Sequence, residues 1–305
     1  VDKVIIAGGT GLIGSALSAE LRRRGLEVKL LSRTPGEGRL LWDGVHSGNW
    51  AEELIDAKAV INLAGSPIAV KFTAENRRVL LTSRLDPTGA IGNAIQTVCI
   101  KSKPPHWINA SAIGFYGDRG VEICDESSVV GTGFLPTICR QWEAACLDHP
   151  VNCPKTIVRI GVALSTEGGA FAKLSGLTRL FLGGQIGDGR QYLSWVHLDD
   201  LVNLFCWIIE SGQTGIFNGT APEPCTNQKL MSELREGEHR PWSPPVPAVM
   251  LELMGSTIGP DASLVLDSTR AVPAAALAGG FQFNFATIEA AMKDLCTKPT
   301  KQGTL

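Results

Sequence analysis

The stretch Ala7-Gly8-Gly9-Thr10-Gly11-Leu12-Ile13-Gly14 carries the densest chemical signal in the chain. It satisfies G-x-G-x-x-G counted from Gly9 and G-x-x-G-x-x-G counted from Gly8. Such a turn lets bare backbone N–H groups approach a pyrophosphate at a helix N-terminus, where the helix dipole favours negative charge. A β-carbon at the closest positions would obstruct that approach, so glycine is required physically. Position supports the reading. Val4-Ile5-Ile6-Ala7 is an apolar, β-branched run that predicts a strand, and 15–24 predicts a helix with Ala16, Leu17 and Leu21 at helical spacing and Gly25 as its stop. A glycine turn between strand and helix, in the first βαβ unit, is the context a dinucleotide site needs.

Residues 28–31 read as a second strand, and its end selects the dinucleotide. An NAD site places Asp or Glu there, about 20 residues past the glycines, to hold the ribose 2′-hydroxyl. This chain has Leu31-Ser32-Arg33-Thr34 instead. A hydroxyl and a guanidinium suit a 2′-phosphate, and no carboxylate is present to repel it. The expected cofactor is NADP(H). Gly8, Thr10, Gly11, Leu12, Ile13 and Gly14 would hold its pyrophosphate, and Ser32 and Arg33 its 2′-phosphate.

The elements that must position this turn alternate. Further strands are expected at 40–42, 59–63, 107–110 and 156–161. Helices are expected at 73–97, where Pro87 should kink or split the helix, and at 137–147. This β-α rhythm predicts an α/β fold, a Rossmann-type doubly wound parallel sheet with a smaller C-terminal substrate lobe. After residue 161 the rhythm loosens. A Gly-rich segment at 183–189 precedes an apolar-polar run at 192–197. Asp199 and Asp200 then read as the cap of an apolar helix at 201–209. A Pro-rich stretch at 241–247 opens a small helical unit that runs to about Cys296. The expected division gives 1–161 and about 192–220 to the Rossmann core and 162–191 and 221–296 to the smaller lobe. The polar end, 297–305, is expected to be a disordered tail.

Composition bounds the class. A chain of 305 residues can form one elaborated α/β domain or two domains, and 44% hydrophobic with 19% charged residues is ordinary for a soluble globular protein. A net charge of -2 offers no footprint for nucleic acid or an anionic membrane. No apolar run approaches the ~20 residues that span a bilayer. The eight cysteines form no C-x-x-C pair and have no nearby His, so no metal site is expected. Cys139 and Cys146 fall on one face of an expected helix as small buried thiols. Reduced, structural cysteines imply a reducing compartment. The sequence opens at Val1 directly on a strand, with no signal peptide. A mitochondrial or plastid protein after presequence removal is one expectation, and a cytoplasmic protein the other.

Together these motifs resemble a known superfamily. The glycine turn, Asn62-Leu63-Ala64-Gly65, and Asn109-Ala110-Ser111-Ala112-Ile113-Gly114-Phe115-Tyr116-Gly117 look like the extended short-chain dehydrogenases/reductases. Three later stretches resemble their atypical branch of epimerase family proteins, found in bacteria and eukaryotic organelles. These are Arg159-Ile160-Gly161-Val162-Ala163-Leu164, Gly183-Gly184-Gln185-Ile186-Gly187-Asp188-Gly189-Arg190-Gln191, and Trp195-Val196-His197-Leu198-Asp199-Asp200-Leu201. The unit from Val246 through Gly280-Phe281 is similar to the small domain that closes the branch. The resemblance implies a Rossmann core with a smaller lobe over the nicotinamide end. It implies that Leu63, Ala64 and Gly65 line the cofactor trough and that Arg84 lies near the cofactor phosphates or ribose. Arg159 matches the Arg at the end of the sixth strand, and Trp142-Glu143 match with packing as their expected role. From the residues alone, a surface or structural ion pair is an equal expectation for Arg84 and for Arg159.

Short-chain reductases do acid–base chemistry with a Tyr whose pKa is lowered by a Lys four residues on, while a nearby Ser helps to hold the substrate oxygen. Ser111 stands where that Ser is expected. The segment 133–143, which should carry the Tyr and Lys, contains neither. Tyr116 is followed four residues on by Gly120, and Tyr192 by Val196, so neither begins such a pair. Two readings remain open. In one, an NADPH-dependent oxidoreductase of unknown substrate relays its proton through Ser111, Tyr116, His197 or a water. In the other, NADP(H) is a structural or sensing ligand of a scaffold or of a subunit in a larger assembly. A nucleotide-sugar epimerase is weaker, because reversible hydride transfer at a sugar carbon leans on the missing Tyr. Expected partners are the dinucleotide and an unnamed small molecule or protein.

Overall fold

In the computed structural model, which describes residues 1–100, 102–249 and 260–298, Val4, Ile5, Ile6 and Ala7 are all inaccessible to solvent. A strand covered on both faces has no polar side to show, which is why this run is apolar without alternation. Val4 and Ile6 enter one hydrophobic core and Ile5 and Ala7 the other.

From this strand, β1 (Lys3–Ala7), the chain runs through α1 (Leu12–Arg23), β2 (Glu27–Ser32), β3 (Arg39–Leu41), β4 (Ala57–Asn62), α2 (Ala74–Val98), β5 (His106–Ala112), β6 (Ile123–Cys124), α3 (Phe134–Leu147) and β7 (Lys155–Ile160). It continues with β8 (Val162–Ser165), α4 (Gly169–Arg179), β9 (Tyr192–Leu193), β10 (Trp195–His197), α5 (Leu198–Ser211), β11 (Gly215–Gly219), β12 (Cys225–Thr226) and α6 (Asn227–Gly237). The last elements are α7 (Ser263–Leu266), β13 (Arg270–Ala271), α8 (Ala274–Ala278) and α9 (Ile288–Thr297).

Seven parallel strands form the central sheet in the order β11-β7-β5-β4-β1-β2-β3. Helices α1 and α5 bury their apolar stripes against one face. Helices α2 and α3, with Trp42 and Trp50, cover the other. This is a Rossmann-type doubly wound sheet. A third core gathers Leu164, Phe171 and Trp195 with Leu230 of α6 and Met292 of α9. Strands β8 and β10 pair with each other outside the central sheet, and β9 pairs with β12.

Three details correct the sequence reading. Pro87 does not split its helix: α2 runs as one 25-residue element with Pro87 inside. A proline costs the helix one backbone bond, but Ala90, Ile91, Ala94 and Ile95 are fully packed and the Thr88 hydroxyl bonds the Arg84 carbonyl at 2.7 Å. Neither Asp199 nor Asp200 caps α5. The cap is His197, whose side chain accepts from the Asp199 N–H. Strand β11, unread in the sequence, adds the seventh strand; it holds only five residues, two of them glycine. Most of the expected tail, 299–305, lies outside the described residues, and Thr297 closes α9. No helix among the described residues is long and apolar enough to cross a membrane. All eight cysteines are free thiols.

His106 shows how the sheet holds a titratable group. Its Nε2 lies 2.7 Å from Thr156 Oγ, and the single hydroxyl proton of Thr156 goes to the Gln213 carbonyl at 2.7 Å. Thr156 must therefore accept, so the proton sits on His106 Nε2. Burial pushes the pKa of this ring from the ordinary 6.5 down to about 4. The unfolded chain takes up that proton first as pH falls, so the stability is complete above pH 6.5 and is lost between there and pH 4. Urea unfolding at pH 7.5 and 4.5 should show a loss of about 2–3 kcal/mol from this group. The loss should shrink by that amount in His106→Gln; an unchanged pH dependence in the variant would clear His106 of the role.

Candidate functional site

The glycine turn contains two kinds of glycine. Gly8 has φ +75°, and a β-carbon on it would stand 2.6 Å from the carbonyl carbon of Leu63. A β-carbon on Gly14 would stand 2.6 Å from the Gly9 Cα. These two let the turn pack on the end of β4 and on itself. Gly11 is extended, with φ -77° and ψ 175°, and is the N-cap of α1. A β-carbon there would meet nothing nearer than Gly8 O at 3.5 Å. The fold itself does not demand glycine at 11. The first turn of α1 carries no acidic residue, so its free N–H groups and positive dipole end are open to an anion. Thr10 is exposed beside them, Ile13 is half-buried against the core, and Leu12 reaches Gly169.

The rim of the trough is set by Asn62, fully buried at the end of β4. Its Oδ1 accepts the Ala64 N–H at 3.1 Å, and its Nδ2 donates to Thr88 Oγ at 3.0 Å and to Asn109 Oδ1 at 2.8 Å. Asn62 and Asn109 are register partners on β4 and β5. This network shapes the backbone of Leu63, Ala64 and Gly65 against Gly8. Arg84 stands beside Gly65, donates to the carbonyls of Leu80 at 2.9 Å and Ser66 at 3.2 Å, and lies over the Trp142 ring. Burial lowers its pKa. It makes no ion pair among the described residues.

At the end of β2, Ser32 is buried while Arg33 is exposed. Arg33, Leu41, Trp42 and Trp50 line an open cleft of about 580 Å³.

Ser111, Tyr116 and Arg159 do converge, in a closed network. The Ser111 hydroxyl donates to Glu143 Oε1 at 2.7 Å. Arg159 forks onto the same carboxylate, with Nε to Oε1 and Nη2 to Oε2 both at 2.8 Å. Its Nη1 donates to the Tyr116 hydroxyl at 3.0 Å, and its Cζ sits 3.5 Å from the Phe115 ring centre. The Tyr116 O–H lies 2.8 Å from Asn218 Oδ1 and 2.9 Å from the Asp125 carbonyl. All four residues are 4% exposed or less. Burial pushes the Tyr116 phenol up to about 12 despite the nearby guanidinium. Burial opposes the charge of Arg159, yet its bonds to Glu143 hold its pKa above the ordinary value.

Glu143 is the residue the sequence reading missed, having assigned it to packing. Its signal was available: Cys139 and Glu143 stand four apart on α3, the spacing a Tyr-x-x-x-Lys pair would need. Both side chains lie by the Ser111 hydroxyl. Burial, then the Glu143 charge, pushes the Cys139 thiol up to about 12.

His197 is elsewhere. Its Nδ1 accepts the Asp199 N–H at 3.1 Å, so the proton is on Nε2, 3.2 Å from Asp294 Oδ2. The ring stacks on Phe285 with centroids 4.0 Å apart, and burial lowers its pKa. These partners tie α5 to α9, and among the described residues no hydrogen bond joins His197 to the Ser111 network. Among the described residues no group of His, Cys, Asp or Glu could hold a metal ion.

Residues 4–134 match the NAD dependent epimerase/dehydratase family, and residues 246–295 match a domain of unknown function (DUF1731). The mouse epimerase family protein SDR39U1 is 35% identical over 299 residues, which cover 96% of this chain and 99% of the mouse protein. The chain belongs to the epimerase family. A second member, the epimerase family protein ML0860 of Mycobacterium leprae, is 33% identical over 98% of this chain and 97% of its own. The crystal structure of human epimerase family protein SDR39U1 (isoform 2) with NADPH superposes with a TM-score of 0.88 at 31% identity, covering 97% of this chain and 99% of that one. Family membership extends over both the glycine turn and the C-terminal segment.

Three outcomes test this geometry. Gly14→Ala should destabilise the fold by about 3 kcal/mol, the upper range for forcing atoms into a packed site. Gly11→Val should melt near the parent protein but lose dinucleotide binding, read by calorimetry. A folded Gly11→Val that binds normally would remove the turn from the site. Glu143→Ala should cost about 3–5 kcal/mol by leaving Arg159 buried and unpaired, and adding Arg159→Met should recover most of it. If Glu143→Ala melts like the parent, the pair is dispensable.

Proposed function

We propose that this chain binds NADP(H) on its glycine turn and retains it as a bound ligand, without the proton relay of Tyr-Lys short-chain reductases. Support for the cofactor comes from the open N-terminus of α1 at Gly11, from Ser32 and Arg33 at the end of β2, and from the NADPH in the human relative's structure. In this reading Gly8, Thr10, Gly11, Leu12, Ile13 and Gly14 surround the pyrophosphate, and Leu63, Ala64 and Gly65 form the rim toward the nicotinamide. Arg84 lies near the cofactor phosphates or ribose. Arg159 is a structural cation rather than a cofactor ligand.

The observation that carries the second half is the closed Ser111–Glu143–Arg159–Tyr116 network. Proton transfer by a positioned group contributes typically ~10²–10⁴ in rate and works best with a pKa near the operating pH. Here the Ser111 proton is committed to Glu143, and Tyr116 and Cys139 are both held near 12. His197 serves α5 and α9. The bound NADPH then acts in a scaffold, a sensor or a subunit of an assembly. One observation favours the NADPH-dependent oxidoreductase reading instead: Arg84 has three of its five N–H donors without a hydrogen-bond partner among the described residues and could steady an anionic oxygen.

NADPH deuterated at C4 should bind with one equivalent per chain and remain reduced for hours in the presence of a panel of carbonyl compounds and nucleotide sugars. Mass spectrometry of those compounds should find no deuterium. Rapid, stereospecific transfer to any of them would overturn retention and return the oxidoreductase reading.

A further inference from the structure

Beyond Arg33, the end of β2 has a second cation that the sequence motifs do not reveal. Arg39, the first residue of β3, is the register partner of Leu30 on β2. Leu30 is the side chain that a β-carbon on Gly9 would strike, at 2.6 Å from its Cδ2. Gly9, Leu30 and Arg39 thus lie in succession on one face of the sheet, running outward from the glycine turn. The Arg39 side chain passes against Gly36, where a β-carbon would come within 2.8 Å of its Cδ and 2.9 Å of its Nε. Its Nη1 donates to Thr34 Oγ at 3.2 Å. Thr34 is itself fixed, its N–H donating to Ser32 Oγ at 3.1 Å and its hydroxyl lying 3.2 Å from the same atom.

One guanidinium and two hydroxyls are therefore linked where the second strand ends, and Arg33 stands between Ser32 and Thr34 in the chain. Neither Arg33 nor Arg39 makes an ion pair among the described residues. A cation aimed by a hydroxyl and a close-packed glycine, with four N–H donors left over, is prepared for an anion with several oxygens.

We propose that Arg39 is the second arm of a clamp on the adenosine 2′-phosphate, with Arg33 as the first and Thr34 as the group that positions Arg39. This rests on the NADP(H) reading above. A phosphate monoester presents three terminal oxygens, more than one guanidinium fork can satisfy. Both arginines are exposed, but Arg33 has no hydrogen-bond partner among the described residues and must be ordered on binding. Arg39 has its bond to Thr34 in place, so its contribution to affinity is diminished less by lost side-chain freedom.

The test uses 2′,5′-ADP and 5′-AMP, which differ only in the 2′-phosphate, titrated calorimetrically into the full chain. The parent protein should prefer 2′,5′-ADP. Arg39→Ala should weaken 2′,5′-ADP by about tenfold and leave 5′-AMP within about twofold, as for loss of one charged hydrogen-bonding group. Arg39→Lys should recover only part of the loss, since an ammonium cannot bond Thr34 and fork onto phosphate together. Thr34→Val should show a smaller loss in the same direction. A parent protein that prefers 2′,5′-ADP, with Arg39→Ala keeping the full preference, would overturn the clamp and leave the NADP(H) reading intact. A parent protein with no preference for 2′,5′-ADP would overturn both.

Discussion

A guanidinium carried into the interior on a central strand cannot remain there without a counter-charge. Arg159 is 2% exposed, and the carboxylate that answers it arrives from α3 as Glu143. The remaining donors and faces of that guanidinium then dictate their own neighbours. Phe115 lies under it, Tyr116 accepts from it, and Asn218 of β11 accepts from Tyr116. Three strands, one long helix and the loop after β5 are thereby tied at the point where the sheet meets the trough. Such a pair adds little net stability when whole, because desolvation offsets the attraction, but it is costly to break. What it fixes is geometry: Ser111 cannot turn toward the trough without giving up its bond to Glu143.

This constraint separates shape from chemistry within the family. The turn, the β4 rim and the strand order belong to a fold shared across the family, and each is explained by backbone packing between the turn and the end of β4. The segment 133–143, where the resemblance leads one to expect Tyr and Lys, has neither, and sets a buried thiol and a paired carboxylate beside Ser111. Sheet and helix are unaffected by that exchange, since Cys139 and Glu143 both point into a filled interior. Likeness of form therefore transfers to this chain more securely than likeness of reaction.

The parts legible in the sequence were those set by neighbours along the chain. The glycine turn follows from local backbone demands. The core strands announce themselves as apolar runs, and Ser111 is found by counting along β5. What escaped depended on contacts distant in sequence. Pro87 reads as a break because its lost bond is local, while the packing and the Thr88 bonds that keep α2 whole come from β4 and α3. Asp199 and Asp200 read as a cap by type, yet His197 takes the cap because its other nitrogen is held by Asp294 on α9. Arg159 was equally a functional residue or a member of a surface or structural ion pair until Glu143 stood beside it.

Asp200, displaced from the cap, found another use. Its carboxylate is fully buried and accepts the backbone N–H groups of Asn284 at 2.9 Å and Phe285 at 2.8 Å. Burial raises its pKa, and those two donors work against the shift. A ribosome delivers Asp200 on α5 well before it delivers either donor, 84 and 85 residues later. Without those two donors the buried carboxylate would be left unsatisfied, at a cost to the seating of α5 against the sheet. The packing of α5 is thus coupled to the segment that leads into α9, through one carboxylate rather than through apolar contact alone.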